Sequence, residues 1–224
     1  MARSIYVVCE DHDSDLGHIN EIAQRNGYSP QVFTRVSRDL IAFDERVHSA
    51  VILMGGCGDH PTYPAEYDCL AAAIASKRPV LAICQGAQVL ATLHTRNPRS
   101  IKLIEYPDAE DQGLLPLNLT GDGKVDPVMM PIAETGARMA QSHSYTVKKL
   151  HKSAVQLAHS PSGLHCDAFR LNALTYGLQF HPEVPSWLKE SECDPGEYRK
   201  YVDCADQVVQ AWFDTTGLSQ RRAT

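Results

Sequence analysis

Two short stretches of this chain bring together residue types that can carry out covalent chemistry. In Ala82-Ile-Cys-Gln-Gly-Ala-Gln88, a cysteine follows the apolar run Val80-Leu-Ala-Ile83 and precedes helical spacing from Gln88 to Leu93. A thiol at a strand-to-helix turn has the geometry of a nucleophile elbow. That turn is strained and needs small residues two before and two after the nucleophile, here Ala82 and Gly86. The dipole of the following helix favours negative charge on the sulfur. In Tyr176-Gly-Leu-Gln-Phe-His-Pro-Glu183, only Pro182 separates a histidine from a carboxylate. Both side chains therefore leave an extended segment on the same side. A nucleophilic thiol needs a base, and the base needs a partner that holds its tautomer. Cys84, His181 and Glu183 can fill those places, and the chemistry would be acyl transfer through a thioester.

Such transfer also needs donors for a tetrahedral oxyanion. The backbone N–H of Gln85, at the helix start, is one candidate. The run Gly55-Gly-Cys-Gly-Asp-His60 supplies another, because glycine lets the backbone approach a substrate closely. Each feature alone has a plainer reading. A lone cysteine is more often inert core, and an isolated His-Pro-Glu is more often a surface turn. The acidic loop Glu10-Asp-His-Asp-Ser-Asp15 reads as a solvated helix start capped by Ser14 or Asp15 rather than a metal site at His12. Seven cysteines, none in a CxxC pair, imply reduced thiols and no metal centre.

The elements that must position these groups follow from the apolar pattern. Strands are expected at residues 4–9, 31–34, 50–54 and 80–83. Helices are expected between them: one bearing Leu16, Ile19, Ile22 and Ala23, one over 39–47, and one over 64–76. Continuous apolar strands alternating with helices imply a parallel sheet covered on both faces. Sites in such sheets form at the carboxyl ends of strands, where residues 55–59 and Cys84 fall. Further strands are expected at 101–106, 115–119, 154–158, 168–171 and 174–180, with an acidic loop at 107–113 and a tight turn at Thr120-Gly-Asp-Gly123. The stripe Tyr198, Tyr201, Val202, Ala205, Val208, Val209 and Trp212 marks a helix over 197–213 that packs on the sheet. Residues 1–216 read as one domain, and 217–224 as a polar, mobile tail.

Composition sets outer bounds. The 224 residues are 43% hydrophobic and 21% charged, as in soluble globular chains, with a net charge of −6. There is no electrostatic footprint for nucleic acid, no apolar run of membrane-spanning length and no secretory signal, so a cytoplasmic protein is expected. No P-loop signature, G-x-x-x-x-G-K-S/T, occurs, and no cofactor is expected.

The G-G-x-G-D loop, the elbow and the G-x-Q-F-H-P-E run from Gly177 to Glu183, in that order, resemble the class I glutamine amidotransferases. The likeness is tightest over residues 49–184 and is similar to the amidotransferase domain of GMP synthase. It implies a three-layer α/β/α fold with a mostly parallel, flavodoxin-like central sheet plus a small antiparallel insertion. It also implies a Cys84–His181–Glu183 triad and an oxyanion hole from the N–H groups of Gly56 and Gln85. Glutamine contacts fall, by the same resemblance, on Gly56, Gly58, Gln85, Gln88, Ser142, Ser144 and Tyr145. The chain departs from the family at Ala82, where glycine is usual, and at Cys57, where proline is common. His143 reads as structural or directed at a partner interface rather than as a second base.

These features lead to three expectations about function. The foremost is a glutaminase that releases ammonia from L-glutamine to a separate synthetase or other acceptor protein. An alternative keeps the triad and cleaves other γ-glutamyl bonds, as a peptidase or hydrolase. A non-enzymatic regulatory module ranks last, since it would have no need of all three triad residues.

Overall fold

Continuous apolar runs make the strands that carry the site, and each faces a helix layer on both sides. The computed structural model describes residues 3–10, 16–35, 43–56, 64–93, 101–103 and 112–219. Strand β1 (Arg3–Cys9) leads to helix α1 (His18–Arg25), then β2 (Tyr28–Thr34) and β3 (His48–Leu53). Helix α2 (Pro64–Ala75), strand β4 (Val80–Ile83) and helix α3 (Gln85–Leu93) follow. β1 sits between β2 and β3, and β3 pairs with β4, all parallel. Alternate residues serve opposite faces, as the two-residue period of a strand requires. Ile5, Val7, Ile52, Leu81 and Ile83 join one cluster, whereas Tyr6, Val8, Val51, Leu53, Val80 and Ala82 join the other.

The second half of the chain adds β5 (Ile101–Leu103), β6 (Gln112–Leu115), β7 (Asn118–Leu119), α4 (Gly121–Val125) and α5 (Met130–Thr135). Then come β8 (Met139–Ser142), β9 (Tyr145–Val147), β10 (Val155–His159), β11 (Cys166–Asn172), β12 (Thr175–Leu178) and α6 (Pro195–Thr215). β12 completes the parallel set by pairing with β4. Beyond it β11, β10 and β7 continue antiparallel, β5 and β9 attach through β11, and β6 pairs with β8 as a separate antiparallel ribbon. The mostly parallel sheet with a small antiparallel addition is therefore present.

Several local expectations are corrected. Residues 43–44 are irregular and 45–47 form a turn, not the end of a helix, and β3 starts at His48. The strand expected at 115–119 is split into β6 and β7 around Pro116, which lacks the N–H a ladder needs. Thr120 does not open a tight turn. Its hydroxyl accepts from the Gly123 N–H and caps α4. Helix α1 begins at Gly17 without a side-chain cap, in place of Ser14 or Asp15. Helix α6 starts earlier than expected, where the Asp194 carboxylate caps the N–H groups of Gly196 and Glu197. It ends in a Schellman motif: Gly217 is left-handed (φ 74°), and the Leu218 N–H reaches the Phe213 carbonyl at 2.8 Å. Leu218 is buried, so the polar tail does not begin at residue 217. The loop around His12, the start of the 39–47 helix, Cys57 and Gly58, residues 104–106, most of the 107–113 loop and residues 220–224 lie outside the described residues.

Candidate active site

Cys84 stands between β4 and α3 in the left-handed region, at φ 51°, which a non-glycine residue adopts only when its surroundings impose it. Its N–H donates to the Leu178 carbonyl at 2.7 Å, and its own carbonyl accepts from the Gln88 N–H at 3.1 Å. The two residues that must be small are well explained. A Cβ on Gly86 would lie 2.2 Å from the Leu53 carbonyl oxygen. Ala82 is fully buried in the second cluster, where its methyl packs with the α3 face. The alanine that departs from the family pattern thus fits. Cys84 is 5% exposed, and its Sγ lies 3.8 Å from the Ser142 carbonyl oxygen.

His181 and Glu183 leave the end of β12 and meet each other. Nδ1 donates to Glu183 Oε1 at 2.6 Å, with both side chains buried. That bond leaves Nε2 on the far side of the ring without a well-formed hydrogen bond to any partner. Burial opposes the ring's charge, yet the Glu183 carboxylate and then the Cys84 sulfur push the His181 imidazole well above its ordinary range. The two reactive side chains converge beside Gly55. A Cβ there would sit 3.3 Å from Cys84 Cβ, 3.8 Å from its Sγ and 3.4 Å from His181 Cε1.

Four neighbours hold the His181–Glu183 pair in place. The His181 N–H bonds the Ala140 carbonyl at 2.9 Å, tying it to β8. The Tyr201 hydroxyl, from α6, donates to the His181 carbonyl at 2.8 Å. The Trp187 indole meets the imidazole at right angles, with centroids 5.4 Å apart. The His18 N–H at the start of α1 donates to the Glu183 carbonyl at 2.8 Å. This last contact needs a glycine before it, since a Cβ on Gly17 would lie 1.8 Å from that same oxygen.

The glycine-rich loop rests on a buried arginine. Arg35 donates from Nε to Glu66, from Nη2 to the Met54 carbonyl at 2.6 Å, and from Nη1 to the Gly55 carbonyl at 2.8 Å and to Glu10 at 3.2 Å. Gly56 fits tightly against this group: a Cβ would meet Glu10 Oε2 at 2.1 Å and both Arg35 Nη1 and Gln85 Oε1 at 2.5 Å. Gly56 and Gln85, the two expected oxyanion donors, are therefore neighbours. Arg35, Glu66 and Glu10 carried no signal in the sequence, because charges 25 and 31 residues apart become partners only once the strand order is known.

Residues expected to hold the substrate are divided by the structure. Ser142 and Ser144 are exposed and Tyr145 is half-buried, on the turn from β8 to β9 that passes Cys84. Gln88 is buried, and its amide nitrogen donates to the Tyr145 carbonyl at 2.7 Å and to Gln179 at 3.2 Å. It holds that turn against α3. Gly58 lies outside the described residues. His143 is buried, so it does not face a partner surface. Its Nε2 lies 3.1 Å from Gln141 Oε1, and burial, followed by His181 and His165, lowers it to about 3. A cavity of about 600 Å³ opens past Ser142 and Trp187 and is bordered by Arg138, Gln141 and Glu197. Among the described residues, no group of three or more His, Cys, Asp or Glu is placed to hold a metal ion.

Comparison with known proteins agrees with this geometry. A family model described as glutamine amidotransferase class-I matches residues 18–193. A GMP synthase (glutamine-hydrolysing) from Christiangramia forsetii is 31% identical over 153 residues, which is 68% of this chain and 27% of that protein. The chain thus spans about a quarter of that relative's length. In fold it is similar to a glutamine amidotransferase from Thermotoga maritima, with TM-score 0.72, 19% identity, and 96% and 99% of the two chains covered. It is likewise similar to a glutamine amidotransferase from Methylobacillus flagellatus, with TM-score 0.73, 18% identity, and 100% and 98% covered.

Proposed function

This chain belongs to the class I glutamine amidotransferase family, and from that premise we propose that it hydrolyses the γ-amide of L-glutamine with Cys84 as nucleophile and delivers ammonia to a separate acceptor protein. The observation that carries the reading is Cys84 at φ 51° on its elbow, converging with the His181–Glu183 pair. Cys84 Sγ adds to the γ-carbonyl as its proton passes to His181 Nε2, and the tetrahedral oxyanion accepts hydrogen bonds from the backbone N–H groups of Gln85 and Gly56. His181, favoured as imidazolium by Glu183 and Cys84, gives its Nε2 proton to the nitrogen as the C–N bond breaks. Ammonia leaves and a γ-glutamyl thioester remains. Water, deprotonated by the now neutral His181, then releases glutamate and restores the thiol. Ser142, Ser144 and Tyr145, on the turn held by Gln88, are suited to the amino-acid end of the substrate, together with Gly58.

The similarity to a GMP synthase that is glutamine-hydrolysing by name supports a reaction in which the ammonia released is passed on to an acceptor. We take residues 1–216 as one unit. The six described cysteines are free thiols, in keeping with a cytoplasmic location, and no helix among the described residues is long and apolar enough to cross a membrane. The test is release of glutamate and ammonia from glutamine by the purified chain. Cys84→Ala should abolish it, and equal release by that variant would overturn the assignment.

A second reading is favoured by one observation. The cavity beside Ser142 and Trp187 has room for a leaving group larger than ammonia. A γ-glutamyl hydrolase would show a higher kcat/KM for γ-glutamyl dipeptides than for glutamine, and the reverse ranking would support the glutaminase.

A further inference from the structure

We propose that Arg35 is a positioning residue that sets the oxyanion loop. This rests on the reading of Cys84 as nucleophile and Gly56 as an oxyanion donor. Strands β1, β2 and β3 lie side by side, and Glu10, Arg35 and the pair Met54–Gly55 are the residues that immediately follow or lie just past their carboxyl ends. Backbone bonds lock those ends together: Arg35 N–H to the Cys9 carbonyl at 2.9 Å, and Met54 N–H to the Val8 carbonyl at 2.9 Å. From this platform the guanidinium reaches under the loop and takes two consecutive carbonyls, those of Met54 and Gly55.

The consequence lies in which way a peptide faces. Fixing the Gly55 carbonyl toward Nη1 fixes the plane of the Gly55–Gly56 peptide, and a trans peptide holds its N–H on the opposite side from its C=O. The Gly56 N–H therefore points away from Arg35. Glu66, whose carboxyl group is fully buried at the start of α2, holds Nε and so fixes the rotation of the fork, and Glu10 takes the remaining direction of Nη1. A planar guanidinium can serve these partners at once. A lysine offers one nitrogen, which cannot reach both carbonyls and both carboxylates in this arrangement.

Arg35 touches no reacting atom in this scheme, so its removal should alter the transition state and leave substrate binding alone. The experiment compares the parent with Arg35→Lys and with the double variant Arg35→Met/Glu66→Gln. The double variant removes both buried charges together and so keeps the fold testable if the lysine variant does not fold. For each, glutamine turnover is measured alongside the rate at which iodoacetamide alkylates Cys84. Alkylation is a direct displacement that forms no oxyanion. The expected result is a kcat about 100-fold lower, with KM and the alkylation rate within about threefold of the parent. A folded variant that keeps its kcat overturns the inference. So does a loss of kcat matched by an equal change in alkylation rate, because that would mark a general disturbance of the elbow. A parent that releases no glutamate overturns the proposed reaction and this inference with it, whereas an active parent whose variants match it overturns this inference alone.

Discussion

At the residue scale, His181 and Glu183 act through a single short hydrogen bond. Glu183→Gln keeps the shape but loses the charge that holds Nδ1 protonated. On the proposed reaction, kcat for glutamine should fall roughly 1000-fold or more, as when the orienting carboxylate of a triad is neutralised, and a steady-state assay at neutral pH checks it. The two buried histidines also give opposite pH limbs. His181 is raised in the folded chain, so its contribution to stability is full below the unfolded value and is lost as pH rises through the folded one. His143 is lowered to about 3, so the unfolded chain takes a proton that the folded chain refuses. Its effect is to reduce stability as pH falls from the ordinary 6.5 toward that value. Melting temperature should therefore peak near neutrality. His143→Asn should flatten the acid limb and Glu183→Gln the alkaline one, and limbs unchanged by these substitutions would refute the assignment. The positions of Cys84 and of the His181–Glu183 pair were legible in the sequence because an elbow between small residues and a His-Pro-Glu run are each local patterns. The partners of Arg35 were not, since they depend on strand order alone.

At the element scale, the positions of two glycines separate backbone strain from crowding. Gly217 closes α6 with φ 74° and open space around it. Gly217→Ala should cost about 1 kcal/mol and leave turnover unchanged. Gly86, at the first turn of α3, has a carbonyl oxygen where a methyl would go. Gly86→Ala must push α3 away from β3, and it should cost about 3 kcal/mol and lower kcat as the elbow shifts. Urea unfolding with parallel assays distinguishes the two. Long elements with a clear apolar period, such as α6 and β1, could be read from the sequence. Helix α4 could not. Its sequence Gly-Asp-Gly-Lys-Val has poor helix propensity, and what makes it helical is the Thr120 cap and the packing of Gly123, where a Cβ would lie 1.9 Å from the Leu157 carbonyl oxygen. Local pattern carries no trace of a neighbour on another strand.

At the scale of the whole molecule, the site occupies the seam between two halves of one sheet. β4 brings Cys84 from the parallel half, and β12 brings His181 from the strand where the antiparallel half begins. The face beside the site carries Trp187, 43% exposed over the imidazole it packs against. A protein that received ammonia here would cover that ring. Trp187 fluorescence should shift to the blue when such a partner binds, and Trp187→Phe should remove the signal while leaving Cys84 labelling by a glutamine-like electrophile intact.

The hydrogen bond from the start of α1 to Glu183 has a consequence of another kind. The His18 amide is held by the carbonyl of Glu183, so it can exchange with deuterium only when the His181–Glu183 segment parts from the first helix. Its exchange rate is thus a clock for the opening of the site, read far along the chain from the cysteine. Occupying Cys84 with a covalent γ-glutamyl analogue should slow that clock, while the Gly136 amide at the end of α5, bonded to the Ile132 carbonyl, keeps its own time.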